Sequence, residues 1–249
     1  MKDLYFDFSN LSGFKEIVHG ISTREFGDMR LKGTDKKDSV QNRERFCDAL
    51  GISLDSVVMA EIVHSNRIAV VGQSDRSRGA RTFRTVIEGA DGLITNEPGV
   101  NLMVTVADCL PIMAYDPVKK VVGIAHAGWR GVIGGIASQL IVGFRSFGSS
   151  PENIIIGIGP SICQKHFVVK SDVRSEFLRK NSKAVFVRNN DGYVDLKKCV
   201  FDELIQNGVS KVNLEVAKEC TICNNYYFSS FRADKEQTIF QAAIIGLRG

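Results

Sequence analysis

The stretch TVADCLPIMAYDPVKKVVGIAHAGWRG, Thr105 to Gly131, closes one apolar run beside Asp108 and Cys109 and the next at His126. A third metal-type donor, His64, stands at the edge of an earlier apolar segment, AEIVHSNRIAVV. Singly, each reads as an ordinary strand-end or core residue. Together, two imidazoles and one thiolate make the three-ligand set of a catalytic zinc, with a fourth position left for water or substrate. An ion held there would keep Cys109 deprotonated and acidify a bound water. The spacing matches no short zinc signature, so this reading requires a fold that gathers three strand ends.

The residues after His126 fit a site. Ala127, Gly128 and Gly131 remove bulk, and a helix starting near Gly131 would aim unpaired N–H groups at the same space. Trp129 offers a flat wall and Arg130 a forked cation suited to phosphate, although a core tryptophan and a surface ion-pair arginine account for the pair equally well. On an extended strand Asp108 would face away from Cys109, as an orienting carboxylate, a proton acceptor or simply a cap on the following turn. Arg24 is a further candidate for holding an anion.

The elements that must position these residues are legible as short Val- and Ile-rich runs bounded by Gly, Pro, Asp or Asn. They fall at 67–72, 92–95, 101–107, 111–116, 121–127, 153–160 and 184–188. The Pro-containing turn after Asp116 predicts a hairpin of the 111–116 and 121–127 strands, which would bring Cys109 and His126 to one sheet edge. Helical patterns cover 39–51, 131–148, 170–181 and 195–209. Strands outnumber helices and often follow one another directly, so the expectation is an α+β (mixed α/β) fold of layered sheets flanked by helices. The arginine-rich stretch at 72–91 reads as a solvated connection that could lie over a site.

With 249 residues, 44% hydrophobic and 24% charged, the chain can bury one substantial core. A net charge of +4, without basic blocks, suits a small anionic ligand and argues against nucleic acid. Acids interrupt the apolar N-terminal stretch, which predicts neither a leader nor a membrane anchor and hence a cytoplasmic setting. The six cysteines are expected to be reduced. Cys220 and Cys223 lack a second pair and are not expected to form a knuckle of their own. Either Cys163 or Cys220 could supply a fourth ligand and make the His64, Cys109, His126 set purely structural.

The motifs HGISTR (19–24), VHSNRIAVV (63–71), ADGLIT (90–95), TVADCLPIMAYDP (105–117), GIAHAGWRG (123–131), IGIGPSIC (156–163), CT (220–221) and FSSFRAD (228–234) resemble, in order, the YfiH/laccase-domain family. It is also called the multicopper polyphenol oxidoreductase or purine nucleoside phosphorylase family. The resemblance implies one YfiH-like α/β domain over 1–249, with a metal on His64, Cys109 and His126. It also implies phosphorolysis of inosine, adenosine and methylthioadenosine with adenosine deamination; an older description of the family is copper-dependent laccase. Two positions depart from the family pattern, Ser65 for glycine and Phe231 for tyrosine. Neither is a ligand, so the departure bears on substrate fit near Phe231.

Zinc is the expected ion, with copper able to occupy the same donors. A conventional multicopper oxidase uses about ten histidines, and this chain has four. The usual deaminase signature, H-x-E with P-C-x-x-C, is missing, which leaves Asp108 as the nearest proton shuttle. Phosphorolysis would place phosphate on Arg130, the helix start and Arg24. A cysteine hydrolase using Cys109 with a histidine base is the remaining class. The expected partners are purine nucleosides and phosphate, with the oligomeric state open.

Overall fold

The strands form three sheets in the computed structural model, which describes residues 4–31 and 37–249. Residues 1–3, the start of the segment read as lacking a leader, and residues 32–36 lie outside the described residues. The central sheet has the order Leu214–Val216, Ile155–Ile158, Leu110–Asp116, Val121–Ala127, Gly92–Thr95, Ile68–Val70. Its middle pair is the expected hairpin, antiparallel, with Pro111 opposite His126 and Asp116 opposite Val121. Asp116 closes the turn by accepting hydrogen bonds from the N–H groups of Val118 and Lys119 at 2.8 and 3.2 Å.

Both hairpin strands are buried throughout, which explains why they read as continuous apolar runs rather than alternating ones. Met113, Tyr115, Val122 and Ile124 face a second, five-stranded sheet and meet its Val104, Ala243 and Ile245. Ile112, Ala114, Val121 and Ala125 face the opposite way, onto Leu140, Ile141 and Phe144 of the helix Ile136–Ser146. The five-stranded sheet carries Met103, Ala242 and Ile244 on its outer face, covered by Phe46 and Leu50 of the helix Lys37–Leu50. The layers are therefore helix, sheet, sheet, helix, in agreement with the mixed α/β expectation. A small sheet of Val168–Val169, Asp191–Val194 and Val185–Arg188 adjoins them. No helix among the described residues is long and apolar enough to cross a membrane.

The helix expected over 131–148 is two helices, Trp129–Ile133 and Ile136–Ser146. Gly135 divides them at φ +81°, a left-handed conformation open to glycine at little cost, and Ser138 N–H then donates to Glu203 at 2.9 Å. The strands Ile17–Ser22 and Gln241–Leu247 have no counterpart in the sequence reading, yet they pair antiparallel at the heart of the second sheet. QAAIIGL mixes helix formers with β-branched residues, and only its partners decide it.

His19, in the Ile17–Ser22 strand, is 7% exposed, and its Nε2 accepts a hydrogen bond from Phe8 N–H at 3.0 Å. Burial pushes its pKa below the ordinary 6.5, against the opposing charges of Asp7 and Glu215. The unfolded chain takes up a proton near 6.5 that the folded chain resists. Stability is thus held above that pH and falls as pH drops through 6.5 toward the folded value. Denaturant midpoints should fall between about pH 7 and 5 and fall less in His19→Gln; equal slopes would remove His19 as the cause.

Candidate functional site

Three backbone segments converge at one end of the two central layers. The turn at 107–109 carries the chain from the Asn101–Val106 strand of one sheet to the Leu110–Asp116 strand of the other. Asp108 makes that crossing possible with φ +78°, so a turn does intervene before Cys109. Strand alternation puts His126 on the same face as Val122 and Ile124, at the open end of the inter-sheet layer. His64 arrives on a loop whose Ile62 and His64 are also left-handed, at φ +64° and +62°. Such conformations cost roughly 1–3 kcal/mol each and persist only where the surroundings over-determine them.

The over-determining group is Asp91, a fully buried carboxylate for which the sequence reading had no role. Its Oδ1 accepts from His64 N–H at 2.9 Å and lies 2.9 Å from His126 Nδ1. Its Oδ2 accepts from the N–H groups of Val63 and Ser65 at 3.1 and 2.7 Å and from the Ser65 hydroxyl at 2.9 Å. His126 N–H donates to the Asp91 carbonyl at 2.7 Å. One aspartate therefore holds the loop of one histidine and the ring of the other. Because Asp91 accepts from Nδ1–H of His126, the neutral ring presents its lone pair at Nε2. Burial alone would raise the Asp91 pKa, but the His126 and Ser65 bonds hold it below the usual carboxylate value. The stretch 72–91 is accordingly no mere solvated connection: its last residue is this aspartate.

The structure brings together the trio named from sequence. One donor atom each from His64, Cys109 and His126 lies within 4.8 Å of the others, with the imidazole rings crossed at 88° and 5.0 Å between centroids. Burial raises the Cys109 thiol, yet the charges and hydrogen bonds of His126 and His64 outweigh it and bring the pKa down to about 7. Burial would lower His126, but Cys109 and Asp91 raise it to about 9. The thiol thus gives up its proton more readily than an ordinary cysteine, toward the thiolate that binds metal. A Cβ at Gly128 would stand 2.9 Å from His64 Cδ2, 3.2 Å from Cys109 Sγ and 3.4 Å from His126 Cε1. The donor types, their spacing and this gap fit a metal ion. Among the described residues no fourth His, Cys, Asp or Glu joins the trio, so Cys163 and Cys220 are not its fourth ligands.

Two cavities, of about 450 and 520 Å³, meet at the trio. Both are bordered by His64, Cys109 and Phe231, with Phe231 standing between them. Asp108, Trp129, Arg130, Lys170 and Arg232 line the first. Phe83, Phe240 and Arg30 line the second, Arg30 lying 4.5 Å over the Phe240 ring. Arg130 is exposed and stacks on Trp129 at 4.2 Å, with no ion pair to it among the described residues. Its helix begins at Trp129, two residues before the expected start, and has five residues. Asp108 accepts from the Thr221 hydroxyl at 2.5 Å and from Arg232 N–H at 2.7 Å. Arg24 is not brought to the cavities: it pairs with Asp234 and donates to the carbonyls of Asn225 and Phe228. That clamp fixes the segment carrying Phe231 and Arg232.

A second cluster contradicts the expectation that Cys220 and Cys223 stand without a second pair. Cys163 and His166 supply it, and the four donor atoms lie within 4.8 Å of one another.

A family model described as multi-copper polyphenol oxidoreductase laccase matches residues 12–248. The chain belongs to this family. Among relatives of this laccase-family chain, the protein named purine nucleoside phosphorylase YlmD of Bacillus subtilis (strain 168) is 33% identical over 246 residues, covering 96% of this chain and 88% of its own. A protein named adenosine deaminase RL5, from an unknown prokaryotic organism, is 33% identical over 188 residues, 74% of this chain and 72% of its own. The crystal structure of YlmD from Geobacillus stearothermophilus superimposes with a TM-score of 0.92 at 32% identity, covering 99% of this chain and all of that one.

Proposed function

We propose that this laccase-family chain is a metal-dependent purine nucleoside enzyme. It phosphorolyses inosine, adenosine and methylthioadenosine to free base and ribose 1-phosphate or methylthioribose 1-phosphate, and it also deaminates adenosine. The observation that carries the reading is the open three-donor set of His64, Cys109 and His126 at the meeting point of two cavities. The names of the relatives support the choice of substrate class. Zinc is the ion proposed, held by His126 Nε2, Cys109 Sγ and a His64 ring nitrogen; when bound it would supply Lewis-acid polarisation at its open position. Four histidines are too few for a conventional set of copper centres, which weighs against the laccase reading.

The chain's own residues divide the remaining work. Arg130, with Lys170 and Arg232 on the same wall, holds phosphate, and the aromatic wall around Phe231 takes the flat purine. Phosphorolysis forms a bond from a phosphate oxygen to C1′ and breaks the bond from C1′ to the purine nitrogen, whose electron pair stays on the base. Asp108 is the proposed proton-handling carboxylate; each of its oxygens retains a lone pair after its bond to Thr221 or Arg232. Arg24 acts as a positioning residue through its hold on the 225–234 segment.

Purified protein incubated with inosine and phosphate should release ribose 1-phosphate, and none without phosphate. In Arg130→Ala the KM for phosphate should rise about tenfold to a hundredfold, the worth of one hydrogen-bonded ion pair. Free ribose as product, or an unchanged phosphate KM, would remove the assignment. The line of Cys109, His126 and Asp91 also has the form of a thiolate nucleophile with an oriented base. Turnover that survives chelation but is lost on alkylation of Cys109 would select a cysteine hydrolase instead.

A further inference from the structure

We propose that Cys163, His166, Cys220 and Cys223 form a second, purely structural zinc site, separate from the His64, Cys109, His126 centre. The fold itself assembles it. The Leu214–Val216 strand lies parallel to Ile155–Ile158 at the edge of the central sheet, so both segments leave the sheet at the same end. The parallel course continues past the strands, through Ala217 N–H to the Ile158 carbonyl at 2.8 Å and an isolated bridge from Ser161 to Cys220. Cys163 and His166 follow the Ile155–Ile158 strand, Cys220 and Cys223 the Leu214–Val216 strand, giving a C-x-x-H and a C-x-x-C side by side.

The distances match a single ion. Zinc bonds of about 2.3 Å to sulfur and 2.0–2.1 Å to nitrogen, at tetrahedral angles, separate a thiolate from an imidazole nitrogen by about 3.6 Å. His166 Nδ1 lies 3.4 Å from Cys163 Sγ, 3.6 Å from Cys220 Sγ and 3.7 Å from Cys223 Sγ. All three cysteines are unbridged. The local backbone suits a metal loop: Cys163 N–H donates to Cys220 Sγ at 3.3 Å, His166 N–H to the Cys163 carbonyl at 3.0 Å, and Asn224 N–H to the Cys220 carbonyl at 2.8 Å. With four protein donors the set is closed, which assigns the ion to structure rather than catalysis.

What it would hold is the wall of the first cavity. Thr221, between two of the donors, carries the hydroxyl bonded to Asp108 Oδ1. Arg232 Nη1 donates to the His166 carbonyl while Arg232 N–H donates to Asp108 Oδ2. Losing the ion would loosen both supports of Asp108 at once.

Native mass spectrometry of the full chain, reduced and supplied with zinc, tests this in variants that separate the two centres. Cys109→Ala, which removes a donor from the other site, should still carry one tightly held zinc per chain. Adding Cys220→Ser and Cys223→Ser to it should leave none. Cobalt in place of zinc in Cys109→Ala should give strong thiolate-to-metal charge-transfer absorption, a measurement that needs no variant at the cluster itself. Zinc-free Cys109→Ala protein, or a mass two hydrogens lower that marks a disulfide among the three cysteines, would overturn the site. Loss of zinc in Cys109→Ala overturns this inference, whereas inactivity of wild type with nucleosides bears only on the catalytic reading.

Discussion

Replacing Asp91 by alanine should lower metal affinity at the His64, Cys109, His126 centre by about tenfold to a hundredfold, with turnover falling at least as far. Asp91 lines neither of the two cavities, so the loss runs through the histidines. Without it His126 loses the partner that fixes its tautomer, and the N–H groups of Val63, His64 and Ser65 lose their acceptor. Stability should fall as well, by about 3–5 kcal/mol, the cost of breaking a buried hydrogen-bonded charge network. Asp91→Asn separates the effects, because an amide can still accept at one atom but cannot serve both the histidine ring and the loop N–H groups. It should recover part of the stability and little of the metal affinity. Competition against a chromogenic chelator, alongside denaturant unfolding, gives both numbers. Wild-type affinity in both variants would show that His64 and His126 are oriented by something else.

Gly128→Ala should reduce turnover by about a hundredfold or more, since displacements near 1 Å at a reacting centre have effects of that size. The backbone at Gly128 has φ −71° and ψ 166°, which alanine adopts freely, so the substitution strains nothing by itself. Its effect comes from a methyl group placed against His64, Cys109 and His126 together. The contact to His64 is the tightest, and His64 is also the most exposed of the three. Metal content should fall with activity while the melting temperature stays within a few degrees. An alanine variant with full activity would mean that no group occupies the space between the three donors.

Both predictions depend on geometry of which the sequence shows only part. Cys109 and His126 are legible because a Pro-containing turn between two apolar runs specifies a hairpin, and a hairpin fixes which ends meet. His64 is legible only as the third donor of a familiar ligand set. Asp91 is not, since a lone aspartate before an apolar strand looks like any strand boundary, and four of its five hydrogen bonds exist only once the 61–66 loop folds back over it. The second cysteine cluster fails for a related reason. Cys220 and His166 are separated by 54 positions and meet through the parallel pairing of two edge strands, which leaves no local signature. The layered architecture was readable from the density of short buried runs. The split at Gly135 was not, because glycine within an otherwise helical pattern reads as a tolerated helix residue.

The graded exposure of the three donors has a kinetic consequence. His126 is buried on a hairpin strand and Cys109 half-buried in the turn that leads into that hairpin, while His64 sits outermost on a loop with two left-handed residues. An arriving ion would settle on the two inner donors and be latched by the third, and it would depart in the reverse order. Exchange should therefore be paced by the opening of one surface loop, leaving the rest of the molecule undisturbed as the metal comes and goes.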